Sequence, residues 1–132
     1  MDIKQIKDSV SYCGLVCNMC RPDGECSCKT SNHCGKRLSP EGCFQYECCR
    51  EKGLNGCWEC SDSPCDKDMF SKEQIKLRAF ITCIKEDSLD KFAEYILKNT
   101  ENGIVYHRSG IWGDYDLETE EQVLKLLRSS AL

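Results

Sequence analysis

Residues 43–65 read Cys43-Phe-Gln-Tyr-Glu-Cys48-Cys49-Arg-Glu-Lys-Gly-Leu-Asn-Gly-Cys57-Trp-Glu-Cys60-Ser-Asp-Ser-Pro-Cys65, with six cysteines in 23 positions. Toward the N-terminus the pattern continues, so that twelve of the thirteen cysteines fall between Cys13 and Cys65, among only five Leu, Ile, Val or Phe residues. Ordering a residue costs about 1–2 kcal/mol of conformational entropy, which so few apolar side chains cannot offset. We therefore expect metal ions or disulfides to build this half of the chain.

The compartment indicated by the sequence favours metal ions over disulfides. The first ten residues are polar and lack the apolar run of a secretory signal, and no stretch approaches the length of a membrane span. We expect a cytoplasmic protein with no membrane partner, and cytosolic thiols stay reduced and bind metals more often than they pair. The odd number of cysteines also fits disulfides poorly. A disulfide framework is the alternative.

The cysteine spacings are typical of metal ligands. The twelve candidates are Cys13, Cys17, Cys20, Cys26, Cys28, Cys34, Cys43, Cys48, Cys49, Cys57, Cys60 and Cys65. They include C-x3-C-x2-C, C-x-C, C-x4-C and C-x2-C-x4-C runs. Two thiolates of a short pair bind one tetrahedral zinc ion at about 2.3 Å, and a distant pair completes the four ligands. Such binding contributes on the order of 10 kcal/mol per structural zinc to folding.

Twelve thiols suffice for three four-cysteine sites, and we expect two or three zinc ions. His33, beside Cys34, is a further candidate ligand. Cys48 and Cys49 are adjacent and cannot easily aim both sulfur atoms at one ion, so we expect them to serve different sites or one of them to remain free. The spacing leaves open which cysteines share each ion.

After Asp66 the chain shows three amphipathic helical patterns, which supply the apolar core. The first begins with capping-box spacing at Ser71 and Gln74, the second ends near Asn99 and Asn102, and the third begins with a second box at Thr119 and Gln122. The apolar faces are Leu77, Phe80, Ile81 and Ile84; then Leu89, Phe92, Ala93, Ile96 and Leu97; then Val123, Leu124, Leu126 and Leu127. Cys83, beside the first face, is expected to be a buried small hydrophobe.

Residues 103–116 lean toward β structure and contain three glycines, which predicts a short hairpin or an ordered loop between the second and third helices. The expected fold is a small metal-stabilised α+β protein. Its cysteine-rich, irregular, zinc-binding half, residues 1–67, would pack on a helical half, residues 68–132, to form one compact unit.

The charge of the cysteine-rich half argues against a nucleic-acid partner. Residues 1–67 hold nine Lys or Arg and ten Asp or Glu residues, and a zinc ion held by four thiolates adds two negative charges. Three such sites would take the chain from −4 to about −10. Because nucleic-acid affinity depends on neutralising phosphates, we expect no binding to duplex DNA or RNA at near-physiological salt.

An enzymatic site would be expected near His107. Its imidazole, with the neighbouring Tyr106, Asp114, Tyr115 and Asp116, has the groups for general-base chemistry. The same residues also suit a turn in which Asp and Gly only shape the backbone, and this is the favoured interpretation. Trp58 and Trp112 are expected to pack internally or to form a contact patch for a partner.

The cysteine motifs resemble a prokaryotic cysteine-rich family of unknown function. Its members open with CGLxCxxC, as in Cys13–Cys20, and end on CxxCxxxPC, as in Cys57–Cys65, with a CxxxxC pair and an EKG segment between them. Residues 103–110 and 113–116 look like a tail that recurs in one branch. The resemblance implies zinc but no reaction. The cysteines that match it suffice for two four-cysteine sites: Cys13, Cys17, Cys20, Cys43, Cys48, Cys57, Cys60 and Cys65.

Iron–sulfur chemistry is the main alternative to zinc. Cluster ligands are also thiolates, although the ferredoxin run C-x2-C-x2-C is absent. Cys13, Cys17 and Cys20 also resemble the cluster loop of radical S-adenosylmethionine enzymes, but those need a barrel of about 200 residues or more, beyond what this chain can form.

We therefore expect a zinc-binding protein with structural zinc and a binding or scaffolding role toward a protein or small molecule. An Fe–S electron-transfer protein, or a metal-dependent enzyme with its site near His107, is the alternative.

Overall fold

The computed structural model describes residues 2–14, 16, 44–61, 63, 65, 74–106 and 113–129. These residues are mostly helical. The helices are α1 (Ile3–Ser9), α2 (Phe44–Lys52), a 3-10 helix (Cys57–Glu59), α3 (Ile75–Asp87), α4 (Leu89–Glu101) and α5 (Glu120–Ser129). Within these ranges the β structure is limited to one isolated antiparallel bridge between Val10 and Val16, so the strands expected of an α+β fold are not seen there. None of the described helices has the length and apolarity to cross a membrane.

The three C-terminal helices pack around the ring of Phe80, which is fully buried. Its centroid lies 5.2 Å from that of Phe92 on α4, 5.7 Å from Tyr115 and 5.9 Å from Tyr106. The Phe92 and Tyr115 rings meet Phe80 edge-on, an arrangement that adds stabilisation beyond buried area. We call this group the aromatic core.

The predicted C-terminal helices are confirmed, with one correction at a boundary. The capping box at the start of α5 is present, since Thr119 Oγ1 accepts from the backbone N–H of Gln122 and Gln122 Oε1 accepts from that of Thr119. Cys83 is fully buried, as expected. The box predicted at the start of α3 is wrong in register. Gln74 is the N-cap residue, with non-helical backbone angles, and Ser71 lies outside the described residues.

Helix α1 belongs to the same core, although apolar periodicity does not predict it. Asp2 and Gln5 form a capping box at its start. Ile6, Val10 and Val16 are 0–1% exposed and lie in one hydrophobic cluster with the aromatic core. The N-terminus of the cysteine-rich half is therefore held by ordinary apolar packing.

Residues 103–116, for which a short hairpin or an ordered loop is predicted, form an ordered loop in their two described limbs. The backbone N–H of Asp114 donates to the Val105 carbonyl over 2.9 Å, and Asp114 Oδ2 accepts from the Val105 N–H over 2.7 Å. A Cβ at Gly113 would overlap the carbonyl of Tyr106, so the close approach of the limbs requires glycine there. Side-chain and single backbone bonds, rather than a strand ladder, join the limbs.

Candidate metal centre

The end of α2 brings two parts of the cysteine-rich region together. Gly53, at φ +71°, ends the helix in a Schellman turn, in which the Leu54 N–H donates to the Cys49 carbonyl over 2.8 Å and the Gly53 N–H to that of Arg50 over 3.3 Å. The turn reverses the chain within a few residues. It carries Cys57, at the start of the 3-10 helix, back toward Cys49 on α2.

Three thiols from separate chain segments are buried together. Cys13, Cys49 and Cys57 are 7%, 1% and 6% exposed and form a cluster with Leu77 and Ile81 of α3. Half-buried Cys65 packs against the same cluster. We call these four cysteines the inner thiol cluster. Because they come from positions far apart in sequence, a shared metal ion would join the N-terminal segment, α2 and the C-x2-C-x4-C run.

Within the inner thiol cluster, the Sγ atoms of Cys49 and Cys57 lie 3.6 Å apart. Zinc–sulfur bonds of about 2.3 Å in a tetrahedron place neighbouring sulfur atoms about 3.8 Å apart. A disulfide would require about 2.05 Å. The observed separation therefore fits one edge of a tetrathiolate site and is too long for a disulfide.

Backbone contacts hold Cys13 beside this pair. The Cys57 N–H donates to the carbonyl of Tyr12 over 2.8 Å, which ties the N-terminal turn to the 3-10 helix. Gly14, at φ +93°, lies so close to α3 that an added Cβ would be 3.2 Å from Cδ1 of Ile81. The Ser11 hydroxyl lies 3.1 Å from Cys13 Sγ and can donate to it, as outer partners of metal ligands commonly do.

A polar network positions the segment that carries Cys65. The Ser63 hydroxyl donates to the carbonyls of Cys57 and Cys60. Lys85 of α3 donates to the carbonyl of Ser63 over 2.7 Å and to that of Cys60 over 3.1 Å. These bonds hold residues 57–63 against the helical part of the chain without using a thiol.

Electrostatics in the inner thiol cluster disfavours a thiolate at Cys57. Its contact with Cys49, its burial and the negative charge that Cys49, Cys13 and Cys65 would carry all raise the pKa of Cys57 above its usual range. Thiolates this close together need a compensating cation. A bound Zn²⁺ ion would supply that positive charge, and a thiol that coordinates it would be deprotonated.

Cys48 and Cys60 form a different group, the outer thiol pair. Both are half-buried, and the exposed Lys52 lies between them, with its Nζ 3.7 Å from Cys60 Sγ. The charges of Cys48 and Cys60 raise the pKa of Lys52. The adjacent Cys48 and Cys49 thus belong to different groups, and so do Cys57 and Cys60 of the C-x2-C run.

The remaining candidate ligands lie outside the described residues. These are Cys17, Cys20, Cys26, Cys28, Cys34, Cys43 and His33. Within the part of the chain that the structure describes, no three His, Cys, Asp or Glu side chains already surround a common point at metal-binding distance. In the inner thiol cluster, Cys49 and Cys57 form one close pair, and Cys13 and Cys65 pack in or against the same cluster.

The candidate residues near His107 hold the loop together. The Tyr106 hydroxyl accepts from the Val16 N–H over 3.0 Å, and the Tyr115 hydroxyl accepts from Asn99 Nδ2 over 3.0 Å. Asp116 accepts from the Gly113 N–H over 2.7 Å and pairs with Lys76 over 3.1 Å. His107 and Trp112 lie outside the described residues. The described members of this group are all engaged in structural contacts.

Trp58 packs between the two cores. It is half-buried and contacts both the inner thiol cluster and the cluster that contains the aromatic core. A Cβ at Gly56 would overlap its ring, so glycine at this position lets the indole fold back over the chain. Its observed contacts are internal packing.

Comparison with protein-family models, curated proteins and solved structures gives no match for this chain. The site therefore has to be interpreted from its own chemistry.

Proposed function

We propose that this chain is a zinc-binding protein in which zinc is structural and the role is binding or scaffolding toward a protein or small molecule. The observation that carries the proposal is the inner thiol cluster, where Cys13, Cys49 and Cys57 are buried together and two sulfur atoms lie 3.6 Å apart. The CGLxCxxC and CxxCxxxPC motifs, which resemble a cysteine-rich family, support the same metal.

A structural role accounts for the residues around the thiols. Leu77, Ile81 and Leu54 pack against the inner thiol cluster. Cys13, Cys49 and Cys57 are buried in this environment, and burial of the ligands suits structural zinc, whose four positions are all filled by protein ligands. The metal would complete a small zinc-stabilised fold whose cysteine-rich region packs on the helices.

Two further features of the proposal follow from the chemistry of the chain. The odd number of cysteines suits a reducing cytoplasm better than a disulfide framework. The acidic balance, made more negative by zinc–thiolate sites, disfavours nucleic acid as the partner. A gel shift with submicromolar affinity for duplex DNA or RNA at near-physiological salt would contradict the second point.

Metal analysis of protein purified without oxygen, combined with an absorption spectrum through the visible range, tests the proposal. The expected result is a colourless protein with two or three zinc ions per chain. A brown protein that contains iron and inorganic sulfide would contradict it, and would assign the thiols to an Fe–S cluster with electron transfer as the function.

A further inference from the structure

We propose that Cys49 and Cys57 are a redox-active pair, which hydrogen peroxide oxidises to an intramolecular disulfide and a thiol reductant restores. The observation that carries the proposal is the contact between their sulfur atoms, which lie 3.6 Å apart. The oxidation needs no metal ion. The proposal therefore goes beyond the proposed function and does not depend on it.

The two sulfur atoms are close enough to bond through side-chain movement. A disulfide has an S–S distance of about 2.05 Å, so the two atoms must approach each other by about 1.5 Å. Each Sγ atom moves by rotation about its own Cα–Cβ bond, and the two side chains share the distance. The backbone segments that carry Cys49 and Cys57 can then keep their positions.

The backbone on both sides of the pair is fixed by hydrogen bonds. At the Schellman turn the Leu54 N–H donates to the carbonyl of Cys49, and beyond it the Cys57 N–H donates to that of Tyr12, each over 2.8 Å. Gly53, at φ +71°, reverses the chain between them. Because folding has already brought the two positions together, closing the loop with a disulfide costs little further conformational entropy.

The neighbouring thiols are directed elsewhere. Successive helical residues point about 100° apart around the helix axis, so Cys48 does not face the same way as Cys49. The 3-10 helix turns Cys60 away from Cys57, and its sulfur atom lies 3.7 Å from Nζ of the exposed Lys52. We therefore expect the folded chain to join Cys49 to Cys57, although the C-x2-C spacing alone would favour a link between Cys57 and Cys60.

The reaction balances with hydrogen peroxide as the oxidant. One sulfur atom attacks a peroxide oxygen, the O–O bond breaks, and a sulfenic acid and one water molecule form. The second sulfur atom attacks the sulfenic sulfur, the S–S bond forms, and a second water molecule leaves. The two thiols lose two electrons and two protons, which the peroxide takes up. The raised pKa of Cys57 keeps its thiolate scarce, which slows the reaction without changing its product.

Burial favours a small oxidant over a large one. Cys49 is 1% exposed and Cys57 is 6% exposed, and Leu54, Leu77 and Ile81 pack on the cluster that contains them. A peroxide molecule is little larger than water, whereas a disulfide reagent needs room for its own side chains at the attacked sulfur. Hydrogen peroxide is therefore the probe that suits this pair.

Peroxide titration of the folded chain as purified, followed by alkylation of the remaining thiols and peptide mapping, tests the proposal. Arg50 and Lys52 lie between the two cysteines, so trypsin places them on separate peptides that only a disulfide joins. Fragmentation of the joined peptides identifies the linked residues. We expect the first link to be Cys49 to Cys57, and we expect the same titration in denaturant to lose this selection. A first link elsewhere, or the same links with and without denaturant, would overturn the proposal.

Matched serine variants test the pair independently. Cys49→Ser and Cys57→Ser should each lose the peroxide-induced link, whereas the neighbouring controls, Cys48→Ser and Cys60→Ser, should keep it. A link between the same two tryptic peptides that forms as readily in Cys49→Ser as in the wild type would overturn the proposal. So would a wild-type chain in which excess peroxide oxidises the outer thiol pair and leaves Cys49 and Cys57 reduced.

Zinc release during the same titration distinguishes this proposal from the proposed function. A sulfur atom in a disulfide is no longer a thiolate ligand, so a zinc ion bound by Cys49 and Cys57 should leave as the link forms. A colorimetric chelator should then detect one zinc ion per disulfide. Formation of the link without zinc release would contradict zinc binding by this pair and would leave the redox proposal intact.

Discussion

One helix serves two cores of different chemistry. On α3, Phe80, Cys83 and Ile84 face the aromatic core, whereas Leu77 and Ile81 face the inner thiol cluster. The aromatic core is built mainly from rings and aliphatic side chains, with the buried Asn99 hydrogen-bonded to Tyr115. The inner thiol cluster has few apolar partners and sulfur atoms that repel each other once ionised. The difference indicates that the helical part of the chain holds its structure by burial, whereas under the proposed function the thiol region would require an added cation.

Removing the metal should produce the largest difference in stability between the two cores. Structural zinc contributes on the order of 10 kcal/mol to folding, so a chelator should unfold the thiol region. In hydrogen exchange, amides of residues 44–60 should lose protection while those of α4 and α5 keep it. Equal loss in both regions would show that the aromatic core also depends on metal. The same loss on adding a reductant instead of a chelator would identify disulfides.

Truncation of Phe80 should destabilise the aromatic core. Phe80→Ala removes a fully buried ring with three aromatic neighbours and should lower the free energy of unfolding of α3 to α5 by about 3–5 kcal/mol. Metal stoichiometry should stay unchanged, because Phe80 does not line the inner thiol cluster. Val105→Ala, at a residue that is 37% exposed, is the control and should change stability by less than about 0.5 kcal/mol. Urea denaturation with metal analysis measures both.

Removing the buried hydrogen bond between Asn99 and Tyr115 should lower stability by less than truncation of Phe80 does. Asn99 is fully buried, and its Nδ2 donates to the Tyr115 hydroxyl and to the carbonyl of Leu126, each over 3.0 Å. Tyr115→Phe removes one acceptor and should cost about 1–2 kcal/mol. Tyr95→Phe, which removes a bond to the more accessible Asp87, should cost less. Equal costs in thermal unfolding would contradict this ranking.

High pH should destabilise the aromatic core through ionisation of Cys83 in the unfolded chain. Burial and the charge of Asp87 raise the pKa of Cys83 from 9.0 to about 12. Below pH 9 the thiol is protonated in the folded and unfolded chains, and its contribution to stability is fully present. As the pH rises toward 12 the unfolded chain loses the proton first, so stability falls, by up to about 1.4 kcal/mol per pH unit.

Cys83→Ala tests this origin of the pH dependence. The variant should cost about 1 kcal/mol near neutral pH because only a sulfur atom is removed from the core. Its stability should fall less steeply than that of the wild type between pH 9 and 12. The buried Tyr115, whose pKa is raised to about 12 chiefly by burial, remains in both proteins, so only the smaller part of its shift that comes from the charge of Cys83 differs between them. Parallel curves in urea titrations would contradict the assignment to Cys83.

The aromatic core and the thiol region also differ in how much of them the sequence predicts. Helices α4 and α5 follow from apolar periodicity, and the Thr119–Gln122 box marks the start of α5. Helix α1 was missed because seven residues give little periodicity, although Asp2 and Gln5 carry a capping-box signal. In a helix this short, the capping residues predict the helix better than the apolar periodicity does.

The grouping of the cysteines could not be predicted from spacing. Cys49 meets Cys57 because Gly53 adopts a positive φ and reverses the chain, a three-dimensional consequence that a C-x7-C interval does not specify. The C-x2-C interval suggests that Cys57 and Cys60 act together, but the 3-10 helix between them directs the two side chains to different groups. The sequence predicts which residues are candidate ligands, and the turns decide which of them meet.

X-ray absorption at the zinc edge, on protein as purified, tests the central claim most directly. It measures the ligand atoms around the metal and their distances without any substitution. We predict a shell of four sulfur atoms at about 2.3 Å from zinc. A shell dominated by nitrogen or oxygen, or the absence of bound zinc, would contradict a fold built on zinc and cysteine.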